Sequence, residues 1–220
     1  MSERKIAAVI FDLDGTLVDT EAFHLRSWEI VLGELGVPIS KEDYMRHISG
    51  RPGREAARER LGVPEDEAER ISERVTEVYW ELVAGRVAPL PGLVPLLDRL
   101  DGRRTAVATS ARRHSAQRML QELALLDRFA AVVTADDVRY GKPHPEPFLT
   151  AATRLGVPPE TCLVIEDSLS GVQAARAAGM TCVGITTTRP DLPDADLVIS
   201  AYDDPRLLAL IDGLATERES

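Results

Sequence analysis

Short apolar runs rich in β-branched residues recur along the chain at 8–11, 105–109, 131–134, 162–165, 182–186 and 197–199. They lack the polar alternation of a strand with one wet face, so each reads as a strand buried on both faces. Between most of them the apolar spacing turns helical: Ala116, Leu120 and Leu123 follow the second run, and Gly-Val-Gln-Ala-Ala-Arg-Ala-Ala-Gly at 171–179 follows the fourth. Strands alternating with helices predict an α/β fold, a parallel sheet with helices on both faces.

One interval breaks the alternation. From about residue 18 to residue 86 no convincing strand occurs, and Ile71, Val75, Val78 and Leu82 step along one face of a helix. The chain is therefore expected to divide into a sheet domain, residues 1–17 and 88–220, and a helical insertion, residues 18–87, with Pro89, Pro91 and Gly92 marking the return. Trp28 and Trp80 are expected in the core of the insertion rather than as ligand platforms. The tetrapeptide Leu-Gly-Val-Pro stands at 35–38, 61–64 and 155–158, each time after a helical pattern. A left-handed glycine, an apolar contact and a proline form a helix stop, and no further role is assigned to it.

Composition narrows the classes of function. The 220 residues carry 26 basic and 36 acidic side chains, a formal charge of -10, which repels phosphodiester backbones and makes nucleic acid an unexpected partner. The N-terminal apolar run is too short for a signal segment and meets Asp12 at once, and no stretch reaches membrane-spanning length. Cys162 and Cys182, the only cysteines, sit in apolar runs and read as buried thiols rather than a bridge or metal site, which suits a reducing cytoplasm. A cytoplasmic monomer is the expectation. Only Lys5, Lys41 and Lys142 are lysines, so chemistry that needs one has few candidates.

The residues that could carry chemistry gather at strand ends. The first strand runs into Asp12-Leu-Asp14-Gly15-Thr16, and alternation in an extended chain puts both carboxylates on one side, at the carboxyl edge where open α/β sheets bind ligands. A calcium loop fails on spacing, since the glycine comes fourth rather than sixth and Phe23 holds the twelfth place. The second run ends in Thr109-Ser110 before a helix start, where a hydroxyl and backbone N–H groups such as that of Ala111 suit an anion. Gly141-Lys142-Pro143 follows the third, the proline holding Lys142 in an extended segment, and the fourth ends in Glu166-Asp167. Asp12 and Asp167 are hard oxygen ligands of the kind Mg²⁺ takes. Ser110 and Lys142 supply a donor and a fixed positive charge for phosphoryl oxygens.

These four segments, in this order, resemble the four motifs of the haloacid dehalogenase superfamily over nearly the whole chain. The resemblance implies a Rossmann-like core with an α-helical cap domain inserted after the first motif, as in the phosphatase and β-phosphoglucomutase branch. It implies that Asp12 attacks the substrate to form an aspartyl-phosphate, and that Asp14 protonates the leaving oxygen and later deprotonates the attacking group. It also implies Mg²⁺ held by Asp12, the main-chain carbonyl of Asp14 and Asp167, with Glu166 reaching it directly or through water. Dehalogenases and phosphonate-cleaving relatives lack the second acid, which this chain has in Asp14.

The insertion bears on substrate. His24 is either a locally bonded histidine of the first inserted helix or, as in the β-phosphoglucomutases and sugar phosphatases this segment resembles, a group near the transferring proton. The stretch 48–55 resembles the cap specificity loop, with Arg54 matching the mutase arginine that holds a second phosphate. That loop is one residue longer than in mutases, and Ser49 falls where they carry lysine. Arg112 and Arg113 follow Ser110 as solvated residues or holders of a distal anionic group. The wording Gly-Lys-Pro-His-Pro-Glu-Pro-Phe around Lys142 is closest to sugar- and glycerol-phosphate phosphatases. The expected activity is thus Mg²⁺-dependent hydrolysis of a small phosphorylated metabolite, a sugar or polyol phosphate, with a β-phosphoglucomutase-like transfer as the alternative and a non-catalytic phosphate-binding relative behind both. The implied substrate-binding groups are His24, Arg54, Ser110, Ala111 and Lys142.

Overall fold

Six parallel strands form a single sheet in the computed structural model, which describes residues 6–49, 51 and 53–213. They are β1 (Ala8–Phe11), β2 (Arg104–Ala108), β3 (Ala131–Val133), β4 (Cys162–Glu166), β5 (Thr181–Ile185) and β6 (Leu197–Ile199), each within one residue of the run that predicts it. Their order across the sheet is β3-β2-β1-β4-β5-β6. The chain therefore builds outward from β1 in one direction, then returns to the other side of β1 and builds outward again. Such a reversal opens a crevice at the carboxyl ends of the two strands that flank it, here β1 and β4.

Both faces of the sheet are covered, as the unbroken apolar runs require. Ala8, Ile10, Ala106, Ala108, Val164 and Cys182 face one layer, where Phe148 and Ala151 of α7 (Glu146–Leu155) and Val172 and Ala175 of α8 (Leu169–Ala177) pack on them. The alternate strand residues Val9, Phe11, Val107, Leu163 and Ile165 point the opposite way and are equally shut from solvent, with the Phe11 ring meeting Phe129 edge-on. Apolar stripes on α5 (Leu93–Arg99), α6 (Arg113–Glu122) and α9 (Pro205–Asp212) are buried as well. Each fully buried Val, Leu, Ile or Phe contributes about 1.5–3 kcal/mol, so the two layers hold the sheet without a covalent staple. Cys162 and Cys182 are free and buried, as their apolar surroundings predict.

Residues up to Asp19 and from Ala88 onward make this unit, and Thr20–Val87 make a second, wholly helical one. In it α1 (Glu21–Glu34), α2 (Lys41–His47), α3 (Gly53–Leu61) and α4 (Glu65–Val83) enclose their own core of Trp28, Val31, Leu32, Tyr44, Ile48, Ala56, Ala57, Ala68, Ile71, Val75 and Val78. Trp28 lies in that core and Trp80 is buried against Tyr79, edge-on at 5.2 Å. Ser40 caps α2 by accepting the Asp43 N–H at 3.1 Å. The three Leu-Gly-Val-Pro copies end α1, α3 and α7, and Gly36, Gly62 and Gly156 all take positive φ there. Among the described residues no helix is long and apolar enough to cross a membrane.

Candidate active site

The register of β1 on β4 aligns Phe11 with Ile165, and the Asp12 N–H donates to the Ile165 carbonyl at 3.0 Å. The next residues, Asp12 and Glu166, thus leave the two central strands side by side at the carboxyl edge. Lys142, in the turn between β3 and α7, reaches across both: its Nζ lies 2.5 Å from Asp12 Oδ1 and 2.8 Å from Glu166 Oε1. The lysine side chain is 4% exposed, and its Nζ stands 5.0 Å from the centre of the Phe148 ring. The Lys142–Pro143 peptide bond is cis.

Glu166 is fixed from behind. Its Oε2 accepts the Ser168 N–H at 2.6 Å and the Ser168 hydroxyl at 2.9 Å, while that hydroxyl accepts the Gly171 N–H at 3.0 Å and caps α8. A β-carbon on Gly171 would sit 1.7 Å from Glu166 Oε1, so only glycine leaves room for this carboxylate. Both Glu166 oxygens are therefore engaged within the protein, one of them on Lys142.

Asp167 lies between two loops. Thr16 donates its hydroxyl to Oδ1 at 3.2 Å and Thr188, in the loop after β5, donates to Oδ2 at 2.5 Å. Gly15, at φ +79°, passes so close that a β-carbon there would fall 2.1 Å from Asp167 Oδ2. Asp14 stands in the same tight turn, which closes through the Gly15 N–H to the Val18 carbonyl at 2.7 Å.

The electrostatics follow from burial. Asp12, Glu166 and Asp167 place three carboxylates around one ammonium, an excess of negative charge where water is scarce. Burial, then the charge of Glu166, pushes the Asp167 carboxyl up to about 7, against the pull of Thr188, Lys142 and Thr16. Burial likewise drives Asp12 up, with Lys142 opposing. The Asp12 and Glu166 carboxylates outweigh the burial of Lys142 and hold its pKa above the ordinary lysine value, so the ammonium stays charged. A cation would relieve the excess. Among the described residues no group of three or more His, Cys, Asp or Glu side chains is arranged to hold a metal, but Asp12 and Asp167 are hard oxygen donors. Mg²⁺ is commonly bound through one or two carboxylates, with waters and phosphate oxygens completing its shell, so the residues fit that ion.

The structure brings together Asp12, Lys142, Glu166 and Asp167 of the set proposed from sequence. Ser110 follows β2 at the same edge and is exposed, next along the sheet from β1. The Ala111 N–H, offered as an anion donor, closes a local turn on Thr109 Oγ1 at 3.0 Å. Arg113 pairs with Asp137 at 2.8 Å and its N–H goes to Asp136, which ties it down within the core unit. In the helical unit, His24 stacks on Tyr79 with ring centres 4.3 Å apart, and Arg54 Nε pairs with Glu65 at 3.0 Å. Ser49 donates to Glu21 at 3.0 Å and Arg51 pairs with Glu59, while Gly50 and Pro52 of the expected specificity loop lie outside the described residues. Sequence reasoning quotes Thr16 in the first motif without giving it a role, and misses Ser168, Gly171 and Thr188 as site residues. The one visible signal was a run of three threonines after an apolar strand.

The chain is similar to known proteins in both sequence and fold. A profile of haloacid dehalogenase-like hydrolases matches residues 9–185. The chain is 38% identical over 184 residues to a fructose-1-phosphate phosphatase of Escherichia coli, covering 82% of this chain and 97% of the relative. It is 33% identical to the β-phosphoglucomutase of Bacillus subtilis over 207 residues, 90% of each chain. Among solved structures, CbbY of Rhodobacter sphaeroides in complex with phosphate superposes with a TM-score of 0.80 at 28% identity, covering 94% of this chain and 99% of the other.

Proposed function

The chain belongs to the haloacid dehalogenase-like hydrolases, and from that membership we propose that it is a Mg²⁺-dependent phosphatase of a small sugar or polyol phosphate. The observation that carries the reading is the Lys142 bridge between Asp12 and Glu166 beside Asp167, at the point where the strand order reverses. Nothing in the packing of the sheet calls for three carboxylates and a lysine at that place, whereas phosphoryl transfer needs a nucleophile, a positive charge and a proton carrier.

In the first step an Asp12 carboxylate oxygen attacks phosphorus, the bond from phosphorus to the ester oxygen breaks, and Asp14 gives its proton to the departing oxygen. In the second, a water attacks the aspartyl-phosphate, Asp14 takes the water proton, and phosphate leaves as Asp12 is restored. Lys142 neutralises charge on the phosphoryl oxygens throughout, and Glu166 keeps the ammonium in place. Ser110 donates to the same oxygens from the end of β2. Asp12, the Asp14 carbonyl and Asp167 would hold Mg²⁺, which supplies a positive charge that lets an anionic phosphate approach anionic residues.

The likeness to the B. subtilis enzyme favours one second reading, a β-phosphoglucomutase-like transfer in which a sugar phosphate rather than water meets the aspartyl-phosphate. Product analysis separates the two. Fructose 1-phosphate, glycerol phosphate and β-glucose 1-phosphate are each supplied with Mg²⁺, the last with and without glucose 1,6-bisphosphate. Stoichiometric phosphate release that ignores the bisphosphate supports the phosphatase. Glucose 6-phosphate formed faster than phosphate supports the mutase.

A further inference from the structure

Asp167 is held in one orientation by groups that play no part in the chemistry above. Thr188 donates to its Oδ2 at 2.5 Å and stands 3.2 Å from its main-chain carbonyl, so one hydroxyl fixes the side chain against its own backbone. Thr16 holds Oδ1 at 3.2 Å, and Tyr202 in turn donates to the Thr16 carbonyl at 2.6 Å. Gly15 packs against Oδ2 and its φ of +79° admits no ordinary side chain. The carboxylate cannot turn about its last torsion without breaking a hydroxyl bond on each oxygen. A carboxylate has about four acceptor positions, so with one taken on each oxygen it still has open positions, and their directions are fixed.

We propose that Thr188 is a positioning residue for the cation site: it sets the direction in which Asp167 presents its oxygens and thereby the affinity for Mg²⁺. The inference rests on the metal reading given under the proposed function. Groups that hydrogen-bond a metal ligand from behind typically change metal affinity 10–100-fold when removed, because the ligand then spends most of its time misaligned. Thr188 is placed for this part, since its hydroxyl reaches Asp167 from the loop after β5.

The test is calorimetric titration of the full-length protein with MgCl₂ alone, alongside melting curves in EDTA. Thr188→Val keeps the shape and removes the hydroxyl; Thr188→Ser keeps the hydroxyl. The expected result is Mg²⁺ binding weakened about tenfold or more in T188V and restored to within about threefold by T188S, with the EDTA melting temperatures of the variants alike. Should T188V not fold, Thr188→Ala replaces it in the same titration. A T188V affinity within twofold of the parent, or a T188S as weak as T188V, overturns the positioning role while leaving the metal reading intact. A parent protein that binds no Mg²⁺ overturns the metal reading itself and the inference with it.

Discussion

Tyr202 donates its phenolic hydroxyl to the main-chain carbonyl of Thr16 at 2.6 Å, joining the segment after β6 to the loop after β1. The tyrosine is 1% exposed, and burial, with the nearby charges of Asp167 and Asp12, pushes its pKa well above the ordinary value. The proton therefore stays on the hydroxyl, and the bond persists across the working range of pH.

Tyr202→Phe leaves a buried carbonyl without its donor while changing little else in volume. The expected cost is about 1.5 kcal/mol, or roughly 4 °C in melting temperature for a chain of this size. Differential scanning calorimetry checks it; an unchanged melting temperature means the Thr16 carbonyl has found another donor.

The two acids of the first motif should fail differently. On the proposed mechanism Asp12→Asn removes the nucleophile, so neither turnover nor an acid-trapped phosphoenzyme should remain. On the same mechanism Asp14→Asn removes the proton carrier, and hydrolysis of an alkyl phosphate should fall about 10²–10⁴-fold. p-Nitrophenyl phosphate, whose leaving group needs no proton, should lose much less in the Asp14 variant. A phosphoenzyme formed by the Asp12 variant would point to another nucleophile.

Lys142→Met strips the cation from between Asp12 and Glu166 and leaves buried carboxylates facing each other. Removing one partner of a buried pair costs about 3–5 kcal/mol, and urea unfolding in EDTA at pH 8 should show a loss of that size. The raised pKa of Lys142 means that its contribution in the parent is fully present below the unfolded lysine value of about 10.4 and is lost only above that, so the parent should be flat in this respect from pH 5 to 9. The variant should instead recover part of its deficit as pH falls and the carboxylates take up protons. A deficit independent of pH would show that charge is not its cause.

Asp137 joins Arg113 at 2.8 Å, Arg154 at 2.5 Å and the Thr134 hydroxyl at 2.7 Å. These hydrogen bonds outweigh its burial and hold its carboxyl well below the usual range. A depressed pKa adds stability above the unfolded value near 4 and loses it as pH falls through the folded value. Asp137→Asn should therefore cost roughly 2 kcal/mol at pH 7 and progressively less towards pH 2. A constant difference between pH 7 and pH 2 contradicts the assignment.

The strands were legible because runs such as Ala-Val-Ile-Phe and Cys-Leu-Val-Ile are buried on both faces, and burial of that kind leaves a local signature. The strand-end groups Asp12, Lys142, Glu166 and Asp167 were legible as types in sequence, since charged residues at the close of an apolar run need a reason. Their hydrogen bonds were not. Thr16 and Asp167 lie 151 residues apart, and Tyr202 and Thr16 186, so no local pattern marks those pairs. The sequence sets Glu166 beside Asp167, where the family resemblance has it reach Mg²⁺ directly or through water; where its oxygens go depends on the space above Gly171 and the cap at Ser168, and both follow from the placement of a helix. The same holds for Arg113, whose position after Ser110 gives no hint of Asp137, 24 residues on.

The placement of β1 at the middle of the sheet also sets an order of assembly during synthesis. Its first partner, β2, leaves the ribosome some 90 residues later, and its second, β4, only after residue 162. The helical unit, whose core residues all lie between 28 and 78, is complete long before. For that whole interval an apolar four-residue strand has at least one open edge, the kind of edge that recruits stray strands. That edge of β1 stays open until β4 emerges, and β4 covers it as it delivers Glu166 and Asp167 to the waiting Asp12.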